Sequence, residues 1–252
     1  MNRSKLALLA IPFLALASCK KEEEQAPSNN NLQSAPAPIS LRFQFVHGAN
    51  PFDINATYAD GAGHAIRFST LKFYASDFEL KDDDGNTVAA YPAKAVLADG
   101  SMPTAAYEIG TMGAGHVHQV YFSLGLDSAT NHANPTLAPY PLNIPGMHWS
   151  WNPAAGYKFL NMEGHVDGNG DGDFDDAEDQ SFTYHCATDA LLRTDHAHSH
   201  ADVGTTPVVL SVKMDVAVLM MGLDLLTTNV AMGGGPANVQ AMNNLTAAIS
   251  DL

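Results

Sequence analysis

Cysteine is nearly missing from this chain: only Cys19 and Cys186 occur in 252 residues, so no disulfide framework can hold the fold. Basic charge is scarce too. Twelve Lys and Arg face 27 Asp and Glu, a formal net charge of −15. That balance excludes nucleic acid as an expected partner and favours cations. No apolar run reaches the ~20 residues that a membrane-spanning helix needs. The familiar catalytic signatures are absent as well: there is no nucleophile elbow, phosphate loop, metalloprotease helix or dinucleotide fingerprint, and the glycines at 233–235 only precede a helix start. The expectation is a binding protein, not an enzyme.

The N-terminus is what remains of long hydrophobicity. Arg3 and Lys5 precede an apolar stretch from Leu6 to Ala17, and Leu16, Ala17, Ser18 and Cys19 form a lipobox-like end. Residues 1–19 therefore read as a lipoprotein signal peptide with Cys19 as the lipidated residue, its acyl chains forming the membrane anchor. Lys20 follows, with no aspartate to retain the protein at the inner membrane. The expected location is the bacterial cell envelope, at the outer membrane, facing the periplasm or the exterior. Residues 20–40 mix charge, Asn, Ser and Pro with little apolar surface, and read as a disordered tether. Residues 41–252 remain as one domain.

Within that domain, short strands alternate with turn signals. Leu41, Phe43 and Phe45 alternate with Arg42 and Gln44, and residues 68–80 alternate before DDDGN at 82–86, a hairpin turn into residues 87–90. Residues 117–124, 157–166, 181–186 and 208–218 read as further strands. Val239, Met242, Leu245 and Ile249 share one face of a late helix over residues 237–249. The fold class predicted is all-β: an antiparallel β-sandwich with long loops and a short C-terminal helix.

Residues 167–178, DGNGDGDFDDAE, match the twelve-residue calcium loop, with Asp167, Asn169, Asp171, Asp173, Asp175 and Glu178 at ligand positions and Gly172 at the tight turn. Its flanks read as strands, so the helix pair of a calcium sensor is missing. The loop is expected to clip two strands together around calcium.

Both tryptophans, Trp149 and Trp151, stand two residues apart beside His148, and FTYHC ends at His185 and Cys186. Period 2 would put both indoles on one face of a strand. The ordered segments LRFQFVHG, IRFSTLKFYASDFELKDDDGN, YFSLGLDSATNH, NHANPTLAPYPLN, MHWSW, GYKF and FTYHC resemble the copper-binding periplasmic MbnP family over most of residues 41–252. The resemblance implies that His47, His132, His185 and one of the two tryptophans gather around copper. It also implies that Trp149 or Trp151 is oxidised to kynurenine by a dihaem cytochrome c peroxidase-like partner of the MbnH kind. Indole itself cannot ligate, because its N–H only donates; ring opening creates an aryl amine and a ketone that can. His148 departs from the family pattern and is a further candidate ligand.

Eleven histidines exceed what packing needs. His196, His198 and His200, between Asp195 and Asp202, read as an auxiliary metal loop able to take Cu²⁺, Zn²⁺ or Ni²⁺, and His116 with His118 as a weaker pair. Cys186 reads as a buried residue or a soft ligand beside His185. The methionines at 214, 220, 221 and 232 read as core. The function expected is an envelope lipoprotein holding one copper ion for acquisition or trafficking. The alternative is a calcium-stabilised surface module that binds glycan or protein.

Overall fold

Alternation in the opening segment sets one layer of the fold. Ala37, Ile39, Leu41, Phe43 and Phe45 are buried, and the residues between them are half-buried, along strand β1 (Ala37–His47). The strand begins four residues inside the stretch read as tether, because Ala37 and Ile39 continue the apolar period. The structure, a computed structural model, describes residues 35–149, 151–152 and 154–252. The signal peptide, Cys19 and most of the tether lie outside the described residues.

Three strands border β1. Strand β2 (Asn50–Pro51) folds back on its end, while β11 (Val208–Asp215) runs parallel to it and β6 (Ala106–Met112) antiparallel. The last strand, β13 (Ile249–Asp251), pairs with β11.

The second sheet is organised by β4 (Ala65–Lys81), whose seventeen residues serve several partners. On one edge its first half, from Ile66 to Phe73, pairs with β8 (Lys158–Val166), and its second half, from Ala75 to Lys81, pairs with β7 (Gly115–Leu124). The short β3 (Tyr58–Ala59) and the long β5 (Thr87–Asp99) also pair with β4. Beyond β8 come β9 (Gln180–Ala187) and β12 (Val230–Gly233), and beyond β7 comes β10 (Arg193–Val203). Asp82 makes the β4–β5 turn, accepting from the amides of Asp84 and Asn86.

The two sheets meet through aromatic rings. Phe43 of the first sheet lies edge-on to Phe73 at 5.1 Å and to Phe122 at 5.6 Å in the second, and Phe45 tilts against Phe73 at 6.0 Å. Among the described residues the α-helices are α1 (Ser128–Asn131), α2 (Val216–Leu219) and α3 (Pro236–Ala248), the last burying Ala241, Met242, Leu245 and Ala248. The β-sandwich with a C-terminal helix is as the sequence led one to expect, but its sheets are mixed. Parallel pairing joins β1 to β11 and β9 to β12. Alternation cannot reveal this, since it is the same in both senses.

Candidate metal centre

Between the end of β7 and the start of β8 the chain makes a long excursion, residues 125–157, which brings Trp149 against Ala187 and His185 of β9. Asp127 caps α1 by accepting from the amides of Ala129 and Thr130. Asn131 at its end is fully buried: its side-chain carbonyl accepts from the Tyr157 amide at 2.7 Å, and its amide group donates to Asp189 at 2.7 Å. Gly156 makes this approach possible. Its φ is +74°, and a Cβ there would collide with the Asn131 side chain. Further along, the Tyr74 hydroxyl on β4 donates to the Pro141 carbonyl, tying the excursion to the sheet, and the Tyr157 hydroxyl donates to the Leu142 carbonyl, closing the excursion on itself.

The tryptophans sit on a tight turn at the end of this excursion rather than on a strand. The Trp149 amide donates to Gly156, Asn152 to Trp149 and Ala155 to Asn152. The indoles still pair, with ring centroids 5.0 Å apart and planes tilted by 30°. Their environments differ sharply. Trp149 is 5% exposed and packs with Ala155 and Ala187 in a small apolar cluster of its own, whereas Trp151 is 71% exposed. The indole N–H of Trp149 is shielded from water and has no hydrogen-bond partner among the described residues, an uncompensated cost.

His185 faces this cluster from β9, its ring 6.3 Å from that of Trp149. Phe182, Tyr184 and Cys186 point into the sandwich, so alternation turns His185 to the outer face. There its Nε2 lies 2.6 Å from Glu163 Oε1 on β8 and 3.2 Å from the Lys158 ammonium. Burial holds His185 below the ordinary histidine range despite the Glu163 hydrogen bond. Burial pushes the Glu163 carboxyl up, but the His185 hydrogen bond and the charges of His185 and Lys158 outweigh it and leave it below its usual value. Burial likewise lowers the Lys158 ammonium. A neutral His185 donating Nε2–H to Glu163 keeps a free lone pair on Nδ1, the carboxylate–histidine arrangement typical of metal ligands.

The other histidines lie elsewhere. His132 caps the end of α1, exposed, 3.1 Å from Asp189, so it shares an anchor with Asn131. His148 bridges to Tyr157, its ring 4.8 Å away and edge-on; its Nδ1 is shielded without a partner, and burial lowers its pKa. His47 stands apart. It ends β1 in the first sheet, its ring 4.5 Å from Tyr58, beside a groove formed with Asp60, Gly61, Met220 and Gly222. Cys186 is fully buried in the core, its thiol 3.3 Å from the Asn238 side-chain carbonyl and pushed well above its usual pKa by desolvation. It points away from His185.

The acidic loop connects β8 to β9, as its strand-like flanks led one to expect. Asp167 is buried and accepts from the amides of Gly170 and Gly172. Oxygens of Asp171, Asp173 and Asp176 converge within 4.8 Å of one another. Asp176 was not among the residues singled out by the motif; Asn169 bridges it to Asp171, donating to both at 2.9 Å. The stretch read as an auxiliary loop is strand β10, so His196, His198 and His200 project together from its solvent side. Glu163, Lys158, Asp189 and Asp83 also escaped sequence reading. The roles of Glu163 and Lys158 depend on strand register and those of Asp189 and Asp83 on where two turns fold back, neither of which one strand's pattern carries.

A family model for MbnP matches residues 36–240. Among solved structures, MbnP from Methylosinus trichosporium superposes with a TM-score of 0.54 at 20% identity, covering 79% of this chain and 82% of that one. No curated protein matches the chain.

Proposed function

Because the chain belongs to the MbnP family, we propose that it is an envelope lipoprotein, anchored through Cys19, that holds one copper ion where Trp149 meets His185. Family membership is consistent with copper handling. The observation that carries the finer reading is the buried indole of Trp149, its N–H unpartnered, 6.3 Å from a histidine already fixed by a carboxylate. An intact indole offers a metal nothing at such a place. Kynurenine made from Trp149 would offer an aryl amine and a ketone beside His185. His132, on the same excursion, is a further imidazole donor, and His47 is left out because it ends β1 in the first sheet, against Tyr58.

The oxidation is assigned to a dihaem peroxidase-like partner, which supplies the haem chemistry. Two molecules of hydrogen peroxide give two oxygen atoms to the broken C2–C3 bond of the indole and leave two waters. Hydrolysis of the formamide then releases formate and frees the aryl amine. Trp151, 71% exposed and 5.0 Å from Trp149, supports this reading as the indole through which an outside oxidant removes electrons. The acidic loop, with Asp171, Asp173 and Asp176 converging, is assigned calcium and the task of holding β8 and β9 in place under the site.

The test is co-expression with such a peroxidase, then metal analysis and peptide mass. The peptide spanning residues 147–158 should gain the mass of one dioxygen less carbon monoxide, with fragmentation locating it on Trp149. One copper should co-purify, and Trp149→Phe and His185→Ala should each lose it. Calcium alone with both tryptophans intact would favour the surface-module alternative.

A further inference from the structure

A second cluster of histidines lies on the other wing of the second sheet, and strand pairing assembles it from three segments. His196 stands opposite Tyr121, His198 opposite Gln119 and Asp202 opposite His116, with a bulge between His198 and Ala201. The bulge leaves His200 unpaired in the ladder and sets it over His118, ring centroids 4.3 Å apart and edge-on. The β4–β5 turn brings Asp83 to the same spot, 2.9 Å from His118 Nδ1 and 3.5 Å from His116 Nε2.

The ring nitrogens sort these groups into ligands and supports. Both nitrogens of His198 are engaged, Nδ1 with Asp251 at 3.2 Å and Nε2 with the Gln119 side-chain amide at 2.8 Å. His196 is stacked on Tyr121 at 4.8 Å. His116 is different: its Nδ1 meets Asp202 at 2.8 Å, which leaves the Nε2 lone pair facing Asp83. His118 Nδ1 is shielded from water and close to Asp83, yet not aligned for a hydrogen bond. One donor atom from each of Asp83, His116 and His200 lies within 4.8 Å of the other two.

The geometry points to a second metal site, distinct from the tryptophan centre, in which Asp83, His116, His118 and His200 bind one borderline divalent ion of the Zn²⁺ type. Three imidazoles and one carboxylate are a tetrahedral zinc donor set, and binding would draw these half-buried and exposed side chains in to ligand distances of ~2 Å. Asp202 holds the His116 ring in its ligating tautomer, the supporting role carboxylates play behind metal-bound histidines. The ion would also engage the otherwise idle His118 nitrogen and fasten the β4–β5 turn to β7 and β10. By the ordinary affinity order Cu²⁺ competes for the same donors.

Cobalt titration of the purified full chain, with excess calcium present to fill the acidic loop, tests the assignment. One Co²⁺ should bind with the intense visible absorption of a tetrahedral site and be displaced by Zn²⁺. His200→Ala and His116→Ala should each weaken binding by about a hundredfold or more, and Asp202→Asn by about 10- to 100-fold. His198→Ala should leave it in place. Binding should also persist in a His185→Ala background, which separates this site from the copper centre. His200 and Asp202 are exposed and His116 and His198 are half-exposed, so the melting of these four variants in chelator should match that of the parent. A weak octahedral spectrum, or a His116→Ala and His200→Ala double variant that binds Co²⁺ as the parent does, would overturn the assignment.

Discussion

At the scale of single residues, what distinguishes the proposed copper site is the pairing of a neutral imidazole with a fixed tautomer. Glu163 does the fixing, through a 2.6 Å contact to His185 Nε2. Glu163→Gln keeps the shape and can still accept a hydrogen bond, but it removes the charge that favours Nε2–H. Copper affinity should therefore fall by about 10- to 100-fold while the kynurenine mass is unchanged, measured by competition with a chromogenic chelator. His148 carries a separate pH signature. Burial sets its folded pKa below the ordinary value, so the unfolded chain takes up a proton first as pH falls. Its contribution to stability is full above the unfolded pKa of about 6.5 and is lost as pH drops through the folded value. His148→Phe keeps the edge-on contact with Tyr157 and removes both the proton and the unpartnered nitrogen. Urea midpoints from about pH 7.5 to 5.5 should fall less in the variant than in the parent. An equal fall in both would show that His148 does not carry the dependence.

At the scale of elements, the site depends on one loop closure. Gly156 sits at φ +74°, against Asn131, and the Asn131–Tyr157 bond anchors the turn that carries both indoles. Gly156→Ala forces a left-handed backbone on a Cβ residue and breaks a buried hydrogen bond, together costing about 3 kcal/mol. Because the chain has only two tryptophans, both on this turn, fluorescence reports on it directly. Emission should shift to the red in the native variant as Trp149 gains water, and copper should be lost with it. An unshifted spectrum would mean that the turn holds without the closure. The same loop shows what the sequence could and could not say. Leu41, Phe43 and Phe45 announced β1 by alternation, and DDDGN announced the β4–β5 turn by its Asx chemistry. The tryptophans were legible as a pair, but their split into one buried and one exposed ring was not. That split comes from Ala155 and Ala187 packing on Trp149, and Ala187 is distant from it in the chain. The run of histidines after Asp195 looked like a polar loop, yet Ala197 and Val203 are buried and make it a strand. Two buried positions in eleven were too thin a period to read. His47 fitted the ligand pattern in order along the chain, but order does not say which side chains it meets, here Tyr58 and the groove beside Met220.

At the scale of the whole molecule, core and site occupy opposite faces of one sheet, and this separates their energetics. Phe43 is fully buried between the sheets, edge-on to Phe73 and Phe122, while Trp149, Glu163 and His185 stand on the outer face. Phe43→Ala removes an aromatic ring from the centre and should cost about 3–5 kcal/mol, a fall in melting temperature on the order of 10 °C for a domain of this size. Such a loss leaves the protein folded at room temperature if the parent has ordinary stability. In that folded fraction β8 and β9 keep their register, since their pairing bonds and the excursion's anchors at Pro141, Leu142 and Asn131 are untouched. The copper bound per folded molecule should then equal that of the parent. Copper falling in step with the melting temperature would instead mean that the core sets the site's geometry through the sheet, and that Glu163 and the 125–157 excursion do not hold it alone.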